Sequence, residues 1–206
     1  NEDMMEKKQV IMAVDGVLAD LEGQLVKYLV DKFGERANVN REMYSLEDRY
    51  AEMPDVLAEA LVFVLDPNSY YGLEPHADGI RFVESLINTD YPVLFLSSRP
   101  KAAESHTVRW LKKHVQNYGY SNGARCVSGS KARLMLREMA GLVAFVVDDN
   151  PETVNALNAG GVLAYSWQQP WNKGVYPYLS HEDATSYVSI DEDGVTERID
   201  FWDKWS

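Results

Sequence analysis

The chain has 206 residues, 46% of them hydrophobic and 25% charged, which is enough apolar content for one well-buried core with a small inserted subdomain. A formal net charge of −12 argues against a nucleic-acid-polymer binder, which needs a basic stripe, but leaves small anionic substrates open, because a metal ion and a few aimed donors reverse the local potential. A single cysteine, Cys126, rules out an internal disulfide, no apolar run reaches bilayer-spanning length, and Met4-Met5-Glu6-Lys7-Lys8 does not read as a signal peptide, so a soluble cytoplasmic protein is expected.

In chain order, Val10–Val14 reads as a buried strand running into an acidic turn with Asp15, Gly16 and Asp20. Leu21, Leu25, Tyr28, Leu29 and Phe33 then share one helical face, with Gly34 as the stop. No comparable strand follows until past Glu74. Ser45-Leu46-Glu47-Asp48 reads as a capping-box start, and Ala58–Leu65 as a further helix. Residues 20–74 are therefore expected to form a helical cap inserted into a core of residues 1–19 and 75–206. An apolar stripe from Ile80 to Ile87 predicts a helix capped by Asp78, before a strand at Val93–Leu96. Val108, Leu111 and Val115 predict the next helix, and Arg125–Val127 a weak strand ending beside Cys126. Strands at Leu142–Val147 and Val162–Tyr165 bracket a helix opened by Asn150-Pro151 and closed by Gly160-Gly161. Strands alternating with helices predict an α/β fold, a doubly wound, Rossmann-like parallel sheet of about five strands. The last segment, 181–206, is acidic; Trp202 and Trp205 are expected to pack it onto the body, a homodimer contact being the other option.

In a parallel sheet, groups at the ends of different strands project into one crevice. Here those ends carry Asp15, Ser97-Ser98-Arg99 and Asp148-Asp149-Asn150, with Lys131 opening a helix in between. Magnesium takes oxygen ligands, commonly one or two carboxylates plus water and phosphate, and Asp148 and Asp149 can supply them. The Ser97 hydroxyl, turn amides around Asp15, Gly16 and Ser98, and the Lys131 ammonium can hold phosphate oxygens. Each group has a plainer reading by itself: a helix cap, a loop, a solvated lysine. Their joint occurrence at strand ends and a helix start is what points to a site.

The order Asp-Gly-Val-Leu-Ala-Asp, apolar-Ser-Ser-Arg-Pro, lysine, apolar-Asp-Asp-Asn-Pro-Glu resembles the motifs of the haloacid dehalogenase superfamily of phosphohydrolases. Gln169-Pro170-Trp171-Asn172 and Tyr70-Tyr71-Gly72-Leu73-Glu74-Pro75 resemble its 5'(3')-deoxyribonucleotidase branch. The likeness spans about Val10 to Lys173, with the cap matching in position and length more than in residues. It implies a first aspartate that attacks phosphorus, at the position held here by Ala13. It further implies Asp15 as general acid/base, Ser97 and Lys131 as phosphate-holding groups, and Mg2+ on Asp148, Asp149 and the Asp15 backbone carbonyl. Gly16, Ser98, Arg99, Tyr44 and Tyr70 are the candidate substrate contacts. Tyr44 and Tyr70, together with Tyr50, Phe63 and Tyr71, are candidates to stack on a base, although a small cap core is the plainer role for any one of them.

Ala13 offers neither a nucleophile nor a metal-binding carboxylate. Losing one member of a catalytic unit costs on the order of 10⁴ to 10⁶ in turnover, so little or no phosphatase activity is expected. Two origins fit Ala13: a substitution that traps complexes, or a natural replacement in a nucleotide-binding or regulatory protein. The retained Asp15, Lys131, Asp148 and Asp149 favour recent or engineered loss. The preferred ligand is a nucleoside monophosphate, a deoxypyrimidine one by the resemblance; a silent nucleotide sensor, a phosphatase for another small phosphate ester and a structural partner protein are the rivals.

Overall fold

A computed structural model of the chain describes residues 8–88, 91–119 and 122–179. Among these, six strands form one parallel sheet: β1 (Gln9–Ala13), β2 (Val93–Ser97), β3 (Gly123–Cys126), β4 (Val143–Asp148), β5 (Ala164–Trp167) and β6 (Tyr178–Leu179), in the order β3-β2-β1-β4-β5-β6. The fold class is the expected doubly wound one. Its central strand, β1, is apolar from Val10 to Ala13, as suits a strand with both faces covered and both edges paired.

Side-chain alternation along the strands builds two cores. Val10, Met12, Phe95 and Val147 face α4 (Ala77–Asn88) and α5 (Glu104–His114), through Phe82, Val83, Trp110 and Leu111. Ile11, Leu96 and Val146 face α6 (Lys131–Glu138) and α7 (Pro151–Ala159), through Met135, Val154 and Leu157. A third cluster lies in residues 21–65. There α1 (Leu21–Phe33), α2 (Leu46–Arg49) and α3 (Pro54–Leu65) bury Leu25, Leu29, Tyr50, Val56 and Phe63 against one another. Tyr50 and Phe63 are thus core residues of this helical unit.

Where the elements differ from expectation, the reasons are local. β6 is only two residues long, too short for any periodicity to announce it. β3 lies at the sheet edge, with three of its four residues outside the core, so its sequence carries little apolar signal. β5 starts two residues later than expected because the Asn158 side chain bonds both the N–H and the C=O of Ala164, each at 2.9 Å, and so sets where the strand begins. Leu142 is half-exposed in a 3-10 turn rather than opening β4. Asp78 lies inside the first turn of α4 instead of capping it, and it pairs with Arg81. The acidic segment 181–206, with Trp202 and Trp205, lies outside the described residues. No helix among the described residues is long and apolar enough to cross a membrane.

Candidate active site

Strand order reverses between β1 and β4, where the chain leaves the sheet in opposite directions and opens a crevice at the strand ends. The loop after β1 turns tightly: the amides of Leu18 and Ala19 both bond the Val14 carbonyl, and the Gly16 amide bonds that of Ala19. Gly16 has φ +75°, and a Cβ on it would lie 2.1 Å from Oδ2 of Asp149. Only glycine suits both the conformation and that approach. Asp20 leaves this cluster and caps α1, accepting the Gly23 amide at 2.8 Å.

Asp15 is gripped by Arg99, whose Nε and Nη2 donate to its two carboxylate oxygens at 2.8 and 2.6 Å. Nη1 of Arg99 donates to Thr107 Oγ1 at 3.0 Å, and the guanidinium lies 4.5 Å from the centre of the Tyr70 ring. Tyr70 in turn donates its hydroxyl to the Val64 carbonyl at 2.5 Å. Arg99 and Tyr70 are each 2% exposed. Neither lines the crevice, which corrects the expectation that they contact substrate: they sit behind Asp15, one holding it and the other covering the holder. The Ser97 hydroxyl does line the crevice and accepts the Arg99 amide at 3.1 Å, while Ser98 is exposed at the rim.

Across the crevice, Ser130 caps α6 and places Lys131 as its first residue, with Nζ 2.6 Å from Oδ2 of Asp148. The other oxygen of Asp148 accepts the Asn150 amide at 3.0 Å. Burial lowers the Lys131 pKa, but Asp148, aided by Asp149 and Asp15, overcomes this and the net shift is upward. Asp149, also buried, turns its carboxyl to the crevice. Its pKa is raised well above the usual carboxylate value, first by burial and then by Asp148, with Lys131 offsetting only part.

These groups meet in one cavity of about 490 Å3 between the strand ends and the helical unit. Asp15, Gly16, Ser97, Ser98, Lys131, Asp149 and Tyr44 line it; Ala13, Arg99, Tyr70 and Asp148 do not. Ala13 ends β1 with its methyl in the core, 3% exposed. The wall supplied by residues 21–64 carries Leu21, Leu25, Leu46, Leu61 and Val64, with Glu22, Ser45, Glu47 and Arg49 among them. Tyr44 is 43% exposed, yet its hydroxyl end reaches inward beside Asn150. Burial raises the pKa of that phenol, and the nearby Asp149, Asp148 and Asp15 raise it further. Among the described residues no three or more His, Cys, Asp or Glu side chains gather into a metal cage. Of the strand-end carboxylates that line the cavity, Asp15 has both oxygens taken by Arg99, which leaves Asp149 as the available donor. That fits the magnesium habit of taking one or two protein carboxylates and filling the rest with water and phosphate.

No family model and no curated protein matches the sequence. Solved structures do resemble it. An L-2-haloacid dehalogenase superposes with a TM-score of 0.59 at 14% identity, over 89% of this chain and 98% of that one. A protein provisionally assigned as a phosphoglycolate phosphatase, from Lactobacillus delbrueckii subsp. bulgaricus, gives 0.58 at 12% identity, over 89% and 99%. CbbY from Rhodobacter sphaeroides, solved with phosphate, gives 0.51 at 14% identity, over 84% and 93%. The chain has the haloacid dehalogenase fold.

Within the haloacid dehalogenase fold of this chain, sequence reasoning overlooked how the loop after β5 works. Gln169 donates Nε2 to the Gly16 carbonyl at 2.7 Å. Asn172 donates to the carbonyls of Asp149 and Trp167 at 2.9 and 2.7 Å, and Trp171 donates Nε1 to the Asp149 carbonyl at 3.2 Å. Gln169-Pro170-Trp171-Asn172 therefore staples the β1 and β4 loops together across the crevice. A reciprocal Gln169–Asn172 capping box keeps it rigid. The signal was present in the residue types, two amides and an indole around a proline, but their partners are far away in sequence. Arg49 was also overlooked. It is buried in the helical unit, paired with Glu22 at 2.5 Å and donating to the Met43 carbonyl at 3.1 and 2.6 Å, so that it fixes the loop bearing Tyr44.

Proposed function

We propose that this chain carries a magnesium-dependent phosphatase site for nucleoside monophosphates, and that with Ala13 it binds such esters but turns them over little or not at all. The observation that carries this reading is the convergence of Asp15, Ser97, Lys131 and Asp149 on one cavity whose opposite wall brings five aliphatic side chains and Tyr44 together with Glu22, Ser45, Glu47 and Arg49. The polar end suits a phosphate monoester, with Lys131, the Ser97 hydroxyl and the turn amides as donors. The apolar end suits an organic group of about nucleoside size. Asp149, with the Asp15 backbone carbonyl, would hold the metal, which when bound neutralises phosphate charge and orients the ester.

In the complete reaction, a carboxylate at position 13 would attack phosphorus while the ester oxygen leaves with a proton from Asp15. Water would then cleave the acyl phosphate, with Asp15 taking its proton. Arg99 orients Asp15 through two hydrogen bonds to its carboxylate, the form that takes the proton in the second transfer. The methyl of Ala13 has no lone pair to offer, so the first bond cannot form. A second reading, a nucleotide-binding protein without catalysis, is favoured by the tight packing of Ala13 into the core.

Phosphate release with magnesium, measured over a panel of nucleoside monophosphates for this chain and for Ala13→Asp, separates the two. Turnover by the aspartate variant alone supports a phosphatase lacking its nucleophile. If neither turns over while nucleotides still bind, the non-catalytic reading stands.

A further inference from the structure

We propose that Trp171, with Tyr44 as its counterpart on the helical unit, is the specificity-determining residue of this site, a stacking surface for the planar aromatic group of a phosphate ester. The inference rests on the phosphate-binding reading above and names what the other end of the ligand must be.

Trp171 and Tyr44 line the same cavity, their ring centroids 6.4 Å apart and their planes tilted by 56°. Stacked carbons sit about 3.5–4.0 Å apart, so a ring sandwiched between two others needs about 7 Å. The pair is too close and too tilted for that. A base would lie against one ring while the other closes on its edge, the arrangement aromatic groups favour. Trp171 is the better platform because its place is fixed. Its indole N–H is bonded to the Asp149 carbonyl, and its neighbour Asn172 is bonded to that carbonyl too. The distance from the stacking surface to the acidic, phosphate-holding wall is thereby set by the β4 loop itself.

Tyr44 is delivered from the other side. Arg49 anchors the preceding carbonyl, and an exposed pair, Glu42 with Lys173 at 3.3 Å, joins the two segments that carry the rings. Of the other expected stacking residues, Tyr50 and Phe63 are in the core of the helical unit, Tyr71 meets Arg109 and His106 outside the cavity lining, and Tyr70 has its ring covered by Arg99.

The test measures binding to the full chain, with magnesium, of deoxycytidine monophosphate, ribose 5-phosphate and inorganic phosphate, for the parent, Trp171→Leu, Trp171→Phe and Tyr44→Leu. Losing one stacking partner should weaken the nucleotide about 5- to 150-fold and leave the two ligands without a base within about twofold. Trp171→Phe, which keeps a ring, should retain most of the nucleotide affinity. Equal losses for all three ligands in Trp171→Leu would overturn the proposal and make Trp171 only a support for Asp149. Tyr44→Leu, at a half-exposed position, reads the same surface without disturbing that support. A parent that binds ribose 5-phosphate as tightly as the nucleotide would also overturn it, while leaving the phosphate site standing. A parent that binds none of the three would overturn the phosphate-binding reading itself.

Discussion

Asp15 and Asp148 stand on opposite sides of the β1–β4 crevice, each paired with a buried cation, but the two pairs are not equivalent. Arg99 meets both oxygens of Asp15 in a planar fork, and the Asp15 side chain keeps 20% exposure. Lys131 meets one oxygen of Asp148, whose side chain is 2% exposed, and must also serve Asp149 next to it. Among the described residues, one side is balanced one to one, and the other sets two buried carboxylates against a single ammonium. The difference teaches where the site asks for a further positive charge. It is at Asp149 on the cavity wall, where a metal ion would be held.

The largest effect expected from disturbing this arrangement is functional. Ala13→Asp should raise magnesium-dependent phosphate release by about 10⁴-fold or more, measured as initial rates on a nucleoside monophosphate. It also puts a carboxylate in place of a buried methyl at the end of β1, so without magnesium its melting temperature should fall below the parent's and recover when magnesium is added.

Next in size, Lys131→Met removes the ammonium that pairs with Asp148 beside Asp149 and should cost about 3–5 kcal/mol in denaturant unfolding. Arg99→Met should cost less, about 1–3 kcal/mol, because Asp15 can turn to water. Equal losses would mean that the two sides are alike after all.

Gly16→Ala should cost about 1–3 kcal/mol from its left-handed backbone alone. It should also push Asp149 aside, weakening magnesium binding measured by calorimetry more than Gly34→Ala does, since Gly34 has a similar φ of +73° but nothing near its would-be Cβ.

The smallest effect sharpens the charge argument. The raised Asp149 pKa means that, above the ordinary value of 3.8, the folded chain holds a proton the unfolded chain has lost, so its stability falls as pH rises through that window. Asp149→Asn should therefore raise the melting temperature at pH 7, by about 2–4 °C for each kcal/mol recovered, and give no gain below pH 3.8. A gain that persists at low pH would mean that the effect is not electrostatic.

Much of this molecule could be read locally. The apolar run of β1 from Val10, the Gly34 stop of α1, the Ser45 cap of α2 and the Asn150-Pro151 opening of α7 are each decided by residues within a turn of one another, and the structure has them all. The doubly wound sheet follows from their alternation, as does the arrival of Asp15, Ser97, Lys131 and Asp149 at one set of strand ends. Which groups face the cavity depended on partners far apart in the chain. Arg99 carries the charge and reach of a phosphate ligand, and only the folded arrangement, 84 residues from Asp15, turns it into a carboxylate clamp with Tyr70 behind it. The resemblance makes Asp148 the first metal ligand with Asp149 in support, whereas in the structure Lys131 at the head of α6 pairs with Asp148 and it is Asp149 that lines the cavity. Trp171 was a letter in a motif until the β5 loop brought its indole to the Asp149 carbonyl. Sequence determines conformation over the few residues that share a hydrogen-bonded turn or a buried face. Which charge neutralises which, and which ring is left open, is decided by packing, because a buried polar group must take whatever partner the fold brings within about 3 Å.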